Sequence, residues 1–547
     1  MKSNSDIEKH SMTTKKHRNI LGILWLAALA IYTPLAGMIL NYEVFVSKSI
    51  VVMLTWTTVL LIPAVVTRRK SLYIAVAILL FLNNFVNMFH WIVLKCPLNA
   101  SSIFVFLNTN FNEASEFMAI KTTPWLLLFI PYILLFVCTL KNIPQLSLKS
   151  KVGIVVWPLL WIYAVIFFID NVVNERFLRL AVPDVERAVI SFVSESKEYR
   201  NLKKRDLYHL DTDLTTNDST LVTIIIGESC NRNHLSLYGY ERPTSPRLSA
   251  RTDILVFDNV VSANSSTLQS IMNFLTENNT EHHRPIDSCI HIFDVFHSSP
   301  YKTYWLSNQS PLGLWDNGVT NLARNADVVT FVNTKSSSSL ESFQMISFDQ
   351  TLFVPLQEAL SENKKHKLVF LHLLGCHTNY SKRYPANFTM FDDTGDKRTR
   401  VINTYDNAVY YNDFVVDSIF SMLNSYSRSH SSVRVSAIYF SDHGENVYDE
   451  GDISGHDYSD HIPKSNVEIP FILWFSPSQR DWLRTHNHPV GDRLHASYMI
   501  DDLFHTIIDL GCITTPVFDR TRSFTNIDYD STRERKLENG DIYNPAR

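Results

Sequence analysis

Two short stretches of the chain hold the residue types that bind a hard divalent cation. Glu228, in Gly227-Glu228-Ser229, follows the apolar run Leu221 to Ile226, and the motif Ser441-Asp442-His443-Gly444-Glu445 follows Val433 to Phe440. Each run is rich in apolar and β-branched residues and reads as a buried strand. Both motifs therefore fall at the carboxyl end of a sheet, the edge where open α/β folds place their chemistry. One carboxylate on the first strand, with a carboxylate and an imidazole on the second, meets a divalent metal's requirement.

A nucleophile should lie close to such a site, and Ser262-Ala263-Asn264-Ser265-Ser266-Thr267 supplies hydroxyls just before Leu268, Ile271, Met272 and Leu275. Those four apolar residues share one helix face, so Thr267 opens a helix. Free backbone N–H groups at that end favour an anion, either an ionised hydroxyl or a phosphate joined to it. Simple N-capping by Ser265, Ser266 or Thr267 explains the same hydroxyls equally well, and spacing alone does not choose. A third strand, Leu368 to Leu374, runs into Gly375-Cys376-His377, and His456 follows Gly455 downstream. A single histidine is more often a packing or surface residue, the reading kept for His282, His283, His366 and His461. His372, inside the third strand, is expected to face a helix layer.

The elements that must carry these groups follow from hydropathy. Beyond Leu221 short apolar runs (Leu221 to Ile226, Thr303 to Leu306, Val328 to Val332, Leu368 to Leu374, Val433 to Phe440, Ile469 to Trp474) alternate with helix-like stretches such as Tyr405 to Leu423. That rhythm predicts a largely parallel sheet with helices on both faces, a soluble α/β domain over 221–547. Residues 171–220 carry mixed charge and read as interfacial helices and a linker. Residues 1–170 contain five apolar segments, Ile20 to Leu40, Ser49 to Val66, Leu72 to Leu94, Pro124 to Leu140 and Val152 to Ile169. Each is long enough to cross about 30 Å of hydrocarbon.

Lysine and arginine orient these spans. Lys2, Lys9, Lys15, Lys16 and Arg18 precede the first, Arg68, Arg69 and Lys70 follow the second, and Lys141, Lys149 and Lys151 follow the fourth, whereas the alternate loops hold Lys48, Lys95 and Lys121. The amino terminus is accordingly expected in the cytoplasm, and an odd number of spans carries the catalytic domain to the far side, in a bacterium the periplasm. In the loop between spans three and four, Thr109 and Glu113 would share a helix face. Composition leaves two readings there, a solvated loop or a pocket for a cationic lipid headgroup. With 547 residues, 46% apolar content and a net charge of −4, the chain can build a large core and carries no basic stripe, so nucleic acid is not an expected partner. The six cysteines show no C-x-x-C spacing, which argues against a zinc ribbon.

These residues, taken in order, carry a resemblance. Gly227-Glu228-Ser229-x-x-Arg232-x-His234-x-Ser236-Leu237-Tyr238-Gly239-Tyr240, Arg242-Pro243-Thr244-Ser245-Pro246, the hydroxyls at Thr267, Trp305-Leu306-Ser307-Asn308-Gln309, Leu371 to His377, Arg383-Tyr384-Pro385, Tyr405-Asp406-Asn407, Ser441 to Glu445 and Ile469-Pro470-Phe471 resemble the bacterial phosphoethanolamine transferases of the alkaline phosphatase and sulfatase superfamily. The likeness extends to the five spans and the Thr109 to Glu113 loop. Asn110-x-Asn112-Glu113-Ala114-Ser115-Glu116 is most similar to the branch that modifies lipopolysaccharide core heptose.

The resemblance implies an alkaline phosphatase-like α/β/α sandwich behind five transmembrane helices in the bacterial inner membrane. It implies one tightly bound Zn2+, with a second left open, held by Glu228, Thr267, Asp442 and His443. Thr267 would be both ligand and nucleophile, His377 and His456 would assist at the phosphoryl group or leaving oxygen, Thr109 and Glu113 would hold the donor headgroup, and Asn308 would border the pocket. The implied reaction moves phosphoethanolamine from phosphatidylethanolamine, through a zinc-bound phosphothreonine, to lipopolysaccharide or another envelope glycan. Two departures stand out: a pocket lysine of some relatives has no counterpart in Ser310 to Trp315, and the cysteine spacing does not reproduce the disulfides of others. The alternatives are a related glycerophosphate transferase or phosphohydrolase, and a non-catalytic membrane-anchored binding module on the same scaffold. A sulfatase would need a Cys/Ser-x-Pro-x-Arg motif, which Ser265 to Ser270 lacks.

Overall fold

The computed structural model describes residues 4–39, 46–94, 98, 103, 124–146, 148, 153–173, 181–202, 206–309, 318–333, 347–378, 380–392, 394–452, 454–456 and 462–545. The chain divides after Ser194 into two compact units. Among the described residues of the first, five helices are long and apolar enough to cross a membrane: Asn19–Gly37, Ser49–Thr67, Lys70–His90, Pro124–Lys141 and Gly153–Val173. They match the five segments read from hydropathy. Buried polar side chains within this unit bond to backbone carbonyls of neighbouring helices, Tyr73 to Gly22 at 2.9 Å, Asn84 to Leu29 at 2.8 Å and Tyr132 to Phe81 at 2.8 Å. Such bonds satisfy groups that hydrocarbon would leave unpaired. The stretch read as a linker contains the helix Asp184–Leu202.

In the second unit, the described residues contain a seven-stranded sheet. Its strands are β1 (Thr220–Gly227), β2 (Ile254–Phe257), β3 (Lys302–Ser307), β4 (Val328–Phe331), β5 (His366–His372), β6 (Arg434–Ser441) and β7 (Phe471–Phe475), in spatial order β2-β7-β6-β1-β5-β3-β4. From β6 to β4 every pairing is parallel, and β7 is antiparallel to both β6 and β2. All eight residues of β1 and of β6 are buried. Central parallel strands covered on both faces need this near-continuous apolar run, which explains why they were legible in the sequence. β2 was not foreseen, because four residues flanked by aspartates are too short to show a period.

Helices cover both faces. On one, Leu221 and Ile225 of β1 join Val409, Val416, Ile419 and Leu423 of the helix Lys397–Ser429, a longer element than the sequence pattern suggested. On the other, Phe274 meets Phe440 edge-on at 5.1 Å and Phe293 lies 5.7 Å from Phe370. The result is a three-layer α/β/α sandwich with a mostly parallel sheet, and its core lies around β1, β5 and β6.

A buried charged cluster ties the loop after β1 to the long helix. His234 bonds Asp406 at 2.7 Å and Asp449 at 3.2 Å, and Arg242 reaches the other oxygen of Asp406 at 2.5 Å. Burial opposes a charged imidazole, yet the two carboxylates overcome it and push the His234 pKa up to about 9. A folded-state pKa above the unfolded value of about 6.5 stabilises fully below pH 6.5, and the contribution is lost as pH rises through 9. Unfolding of the wild-type chain at pH 6.5 and pH 9.5 should differ by of the order of 3 kcal/mol from this source, and His234→Gln should remove that part of the pH dependence.

Candidate metal centre

The register of β1 against β6 brings the two acidic motifs together. Gly227 pairs with Ser441, and the Asp442 N–H donates to the Gly227 carbonyl at 3.1 Å, so Glu228 and Asp442 leave adjacent strands side by side. Ser229 then takes a left-handed turn, with φ of 54°. Gly375, at φ 53°, lies so close that a Cβ there would be 2.7 Å from the backbone N and O of Glu228. Only glycine accepts both the conformation and the approach. Ser270 donates to the Asp442 carbonyl at 2.6 Å and pins the helix Thr267–Phe274 to the same loop.

Four side chains converge as a result. One ligand atom each from Glu228, Asp442 and His443 lies within 4.8 Å of the others. His443 Nε2 is 3.3 Å from Glu228 Oε1 and 3.6 Å from Asp442 Oδ2. The Thr267 hydroxyl is 3.1 Å and 3.2 Å from the two Glu228 oxygens and 3.3 Å from His443 Nε2. Ser266 occupies the N-cap position without a side-chain cap bond, and Thr267 turns its hydroxyl to the carboxylate. The geometry thus separates Thr267 from the capping role that spacing had left open.

The donor set fits a metal ion. His443 Nδ1–H donates to the Gly444 carbonyl at 2.7 Å, which leaves the Nε2 lone pair for the cluster. Asp442 Oδ1 accepts from the backbone N–H groups of His443 at 2.7 Å and Ser229 at 3.2 Å, whereas buried Oδ2 has no hydrogen-bond partner among the described residues. Burial opposes charge on all three groups. Even so, Asp442 and Glu228 raise the His443 pKa to about 10, His443 holds Glu228 well below the usual carboxylate range, and burial with Glu228 as neighbour lifts Asp442 to about 7. The imidazolium supplies the positive charge that the carboxylates require, and a divalent ion is the stronger cation that would displace its proton.

The Sulfatase family model matches residues 220–512. The chain belongs to the Sulfatase family. The phosphoethanolamine transferase EptC of Escherichia coli is 28% identical over 520 residues, covering 88% of this chain and 87% of the relative. CptA of Salmonella typhimurium, also a phosphoethanolamine transferase, is 27% identical over 525 residues, with 88% and 87% covered. The periplasmic domain of Escherichia coli EptC, solved in complex with Zn, is 29% identical with a TM-score of 0.55, covering 61% of this chain and 93% of that one. The integral membrane phosphoethanolamine transferase EptA from Neisseria meningitidis aligns over 92% of this chain and 98% of its own at a TM-score of 0.64, and with 20% identity it speaks to the fold.

Around the four convergent groups, the remaining residues singled out from sequence fall in different places. His456 lies beside the cluster, its ring 4.5 Å from that of His443, and its Nδ1 bonds Glu445 Oε2 at 2.7 Å. Tyr380 donates its hydroxyl to the other Glu445 oxygen. His377 follows the Gly375 turn and is half-buried; desolvation pushes its pKa down to about 4, against the attraction of Glu228. His372 is buried against Trp305, with ring centroids 5.5 Å apart. Asn308 is fully buried, and its amide donates to Asp349 at 2.8 Å and accepts from Ser347. Thr109 and Glu113 lie outside the described residues, as does His461. Cys138, Cys230, Cys289, Cys376 and Cys512 are free thiols, and Cys96 is outside the described residues.

Three supports escaped the sequence reading. Asp349 accepts from the backbone N–H groups of Leu374 at 2.7 Å and Gly375 at 2.9 Å, holding the turn that abuts Glu228. Glu445 and Tyr380 orient His456. Glu445 stood inside a motif already quoted and could have been found there, whereas nothing in the sequence links Asp349 or Tyr380 to the site. Gly375→Ala, which combines a left-handed backbone with overlap on Glu228, should lower unfolding free energy by about 2–4 kcal/mol, measured by denaturant unfolding.

Proposed function

We propose that the protein is a membrane-bound phosphoethanolamine transferase that moves phosphoethanolamine from phosphatidylethanolamine to an envelope glycan, lipopolysaccharide core or lipid A, in the bacterial inner membrane. The observation that carries the reading is the Thr267 hydroxyl at a helix amino terminus, within 3.1–3.3 Å of Glu228 and His443. Relatives named as phosphoethanolamine transferases, aligned over 88% of the chain, support the choice of reaction, and a zinc complex of one of them supports the choice of metal. The positive residues flanking the five apolar helices support a cytoplasmic amino terminus and a periplasmic catalytic domain.

Glu228, Asp442, His443 and Thr267 would hold one zinc ion. When bound, zinc lowers the pKa of a hydroxyl and offsets charge on phosphoryl oxygens. The chain's own residues account for the rest. Thr267 Oγ1 attacks phosphorus and loses its proton; the new Oγ1–P bond forms as the bond from phosphorus to the glycerol oxygen of the donor breaks, and diacylglycerol leaves after taking up a proton. In the second step an acceptor oxygen gives up its proton, bonds to phosphorus and releases Thr267. His456 or His377 would carry those protons; the bond from Glu445 to His456 Nδ1, which leaves Nε2 open, supports His456. Desolvation lowers the His377 pKa to about 4, so its ring stays neutral near pH 7 and would serve as a hydrogen-bond contact to the phosphoryl group rather than as a strong base. Backbone N–H groups in the first turn of the Thr267 helix face the developing charge. Thr109 and Glu113 would take the donor ammonium, and Asn308 acts from beneath the pocket through Asp349.

Incubation of the wild-type chain with phosphatidylethanolamine should leave an adduct of about 123 Da on Thr267, seen by mass spectrometry of peptides. Thr267→Ala should abolish the adduct and lower transfer by roughly a thousandfold or more, and full transfer by that variant would overturn the nucleophile. His456→Ala should lower turnover by about 10²–10⁴-fold while the metal stays bound, measured as kcat together with zinc content. Comparison of envelope glycolipids from cells with and without the gene identifies the acceptor; no change in any phosphoethanolamine substituent would overturn the assigned reaction.

A further inference from the structure

A carboxylate that ligates a metal stays in one rotamer only if its remaining lone pairs are held by other donors. At Glu228 those donors are divided unevenly between the two oxygens. Oε1 receives the Ser229 hydroxyl at 2.9 Å and lies 3.1 Å from the Thr267 hydroxyl and 3.3 Å from His443 Nε2, whereas Oε2 lies 3.2 Å from the same Thr267 hydroxyl and receives the side-chain amide of Gln309 at 3.4 Å. Once Thr267 gives up its proton, the Gln309 amide is the remaining side-chain donor to Oε2 among the described residues.

We infer that Gln309 is a positioning residue that sets the orientation of Glu228 toward the metal, an inference that rests on the metal reading above. The same Gln309 nitrogen donates to the Leu373 carbonyl at 3.0 Å. A carbonyl and a carboxylate both accept, so the atom between them is the amide nitrogen and the side chain has one orientation. Its own backbone N–H is tied to Ser307 Oγ at 3.1 Å. Gln309 follows β3, whereas Glu228 follows β1, and β5 lies between the two strands. The side chain therefore crosses the end of β5, touching Leu373 on the way, a span that asparagine, one methylene shorter, does not cover. No sequence pattern predicts this contact, because the partners are 81 residues apart and belong to strands that do not pair.

The test reads metal binding in the full chain, purified in detergent, stripped of metal and titrated with zinc against a competing chelator. Q309M keeps the length without the donor, and Q309N keeps the amide without the reach. Each should bind zinc about 10–100-fold more weakly than wild type, the range seen for outer-shell partners of metal ligands. Each should also alter the visible spectrum of the cobalt-substituted protein, while thermal unfolding of the metal-free chain stays as in wild type. Zinc affinity within about twofold of wild type in both variants, alongside lost binding in Glu228→Ala, would overturn the role of Gln309 and leave the metal reading standing. A wild-type chain that takes up no zinc would overturn both.

Discussion

Two buried carboxylates held side by side are the constraint around which the catalytic unit is organised. Glu228 and Asp442 leave adjacent parallel strands at the same level, and neither is more than 1% exposed. Like charges in that position repel, and desolvation alone would protonate them. The fold answers with His443, whose imidazole lies between them, with backbone N–H groups on Asp442 and with hydroxyl and amide donors on Glu228. Asp442 Oδ2, 3.6 Å from His443 Nε2, has no hydrogen-bond partner among the described residues, and a cation would satisfy it.

The scaffold's task is to keep this arrangement from relaxing. A carboxylate pair on flexible loops would swing apart into water, so the loops are short and their backbones constrained. Ser229 and Gly375 both adopt left-handed conformations, the second so close to Glu228 that no side chain fits. Asp349 bonds the Gly375 turn from below, Ser270 fastens the Thr267 helix to Asp442, and Glu445 with Tyr380 orients His456. Rigid supports of this kind hold the Thr267 hydroxyl beside Glu228 and His443 in a fixed arrangement.

Membrane attachment and the catalytic site obey different physics within one chain. In the first unit, apolar length and backbone satisfaction decide the structure, and buried tyrosines and asparagines find carbonyl partners between helices. In the second unit, strand register decides it.

The sequence by itself determined the five spans, the main parallel strands and the identity of the acidic and imidazole groups, because each is local: span length, continuous apolar runs and short motifs at strand ends are read without knowing what packs where. It could also place Thr267 at the start of a helix, but not say whether its hydroxyl caps that helix or faces Glu228. Tertiary structure decided that point, along with the bond from Gln309 to Glu228, the place of Asp349 beneath Gly375 and the burial of Asn308. The Gln309–Glu228 bond joins residues 81 apart through the order β1-β5-β3, and strand order is settled by packing across the whole sheet rather than by any segment's own pattern.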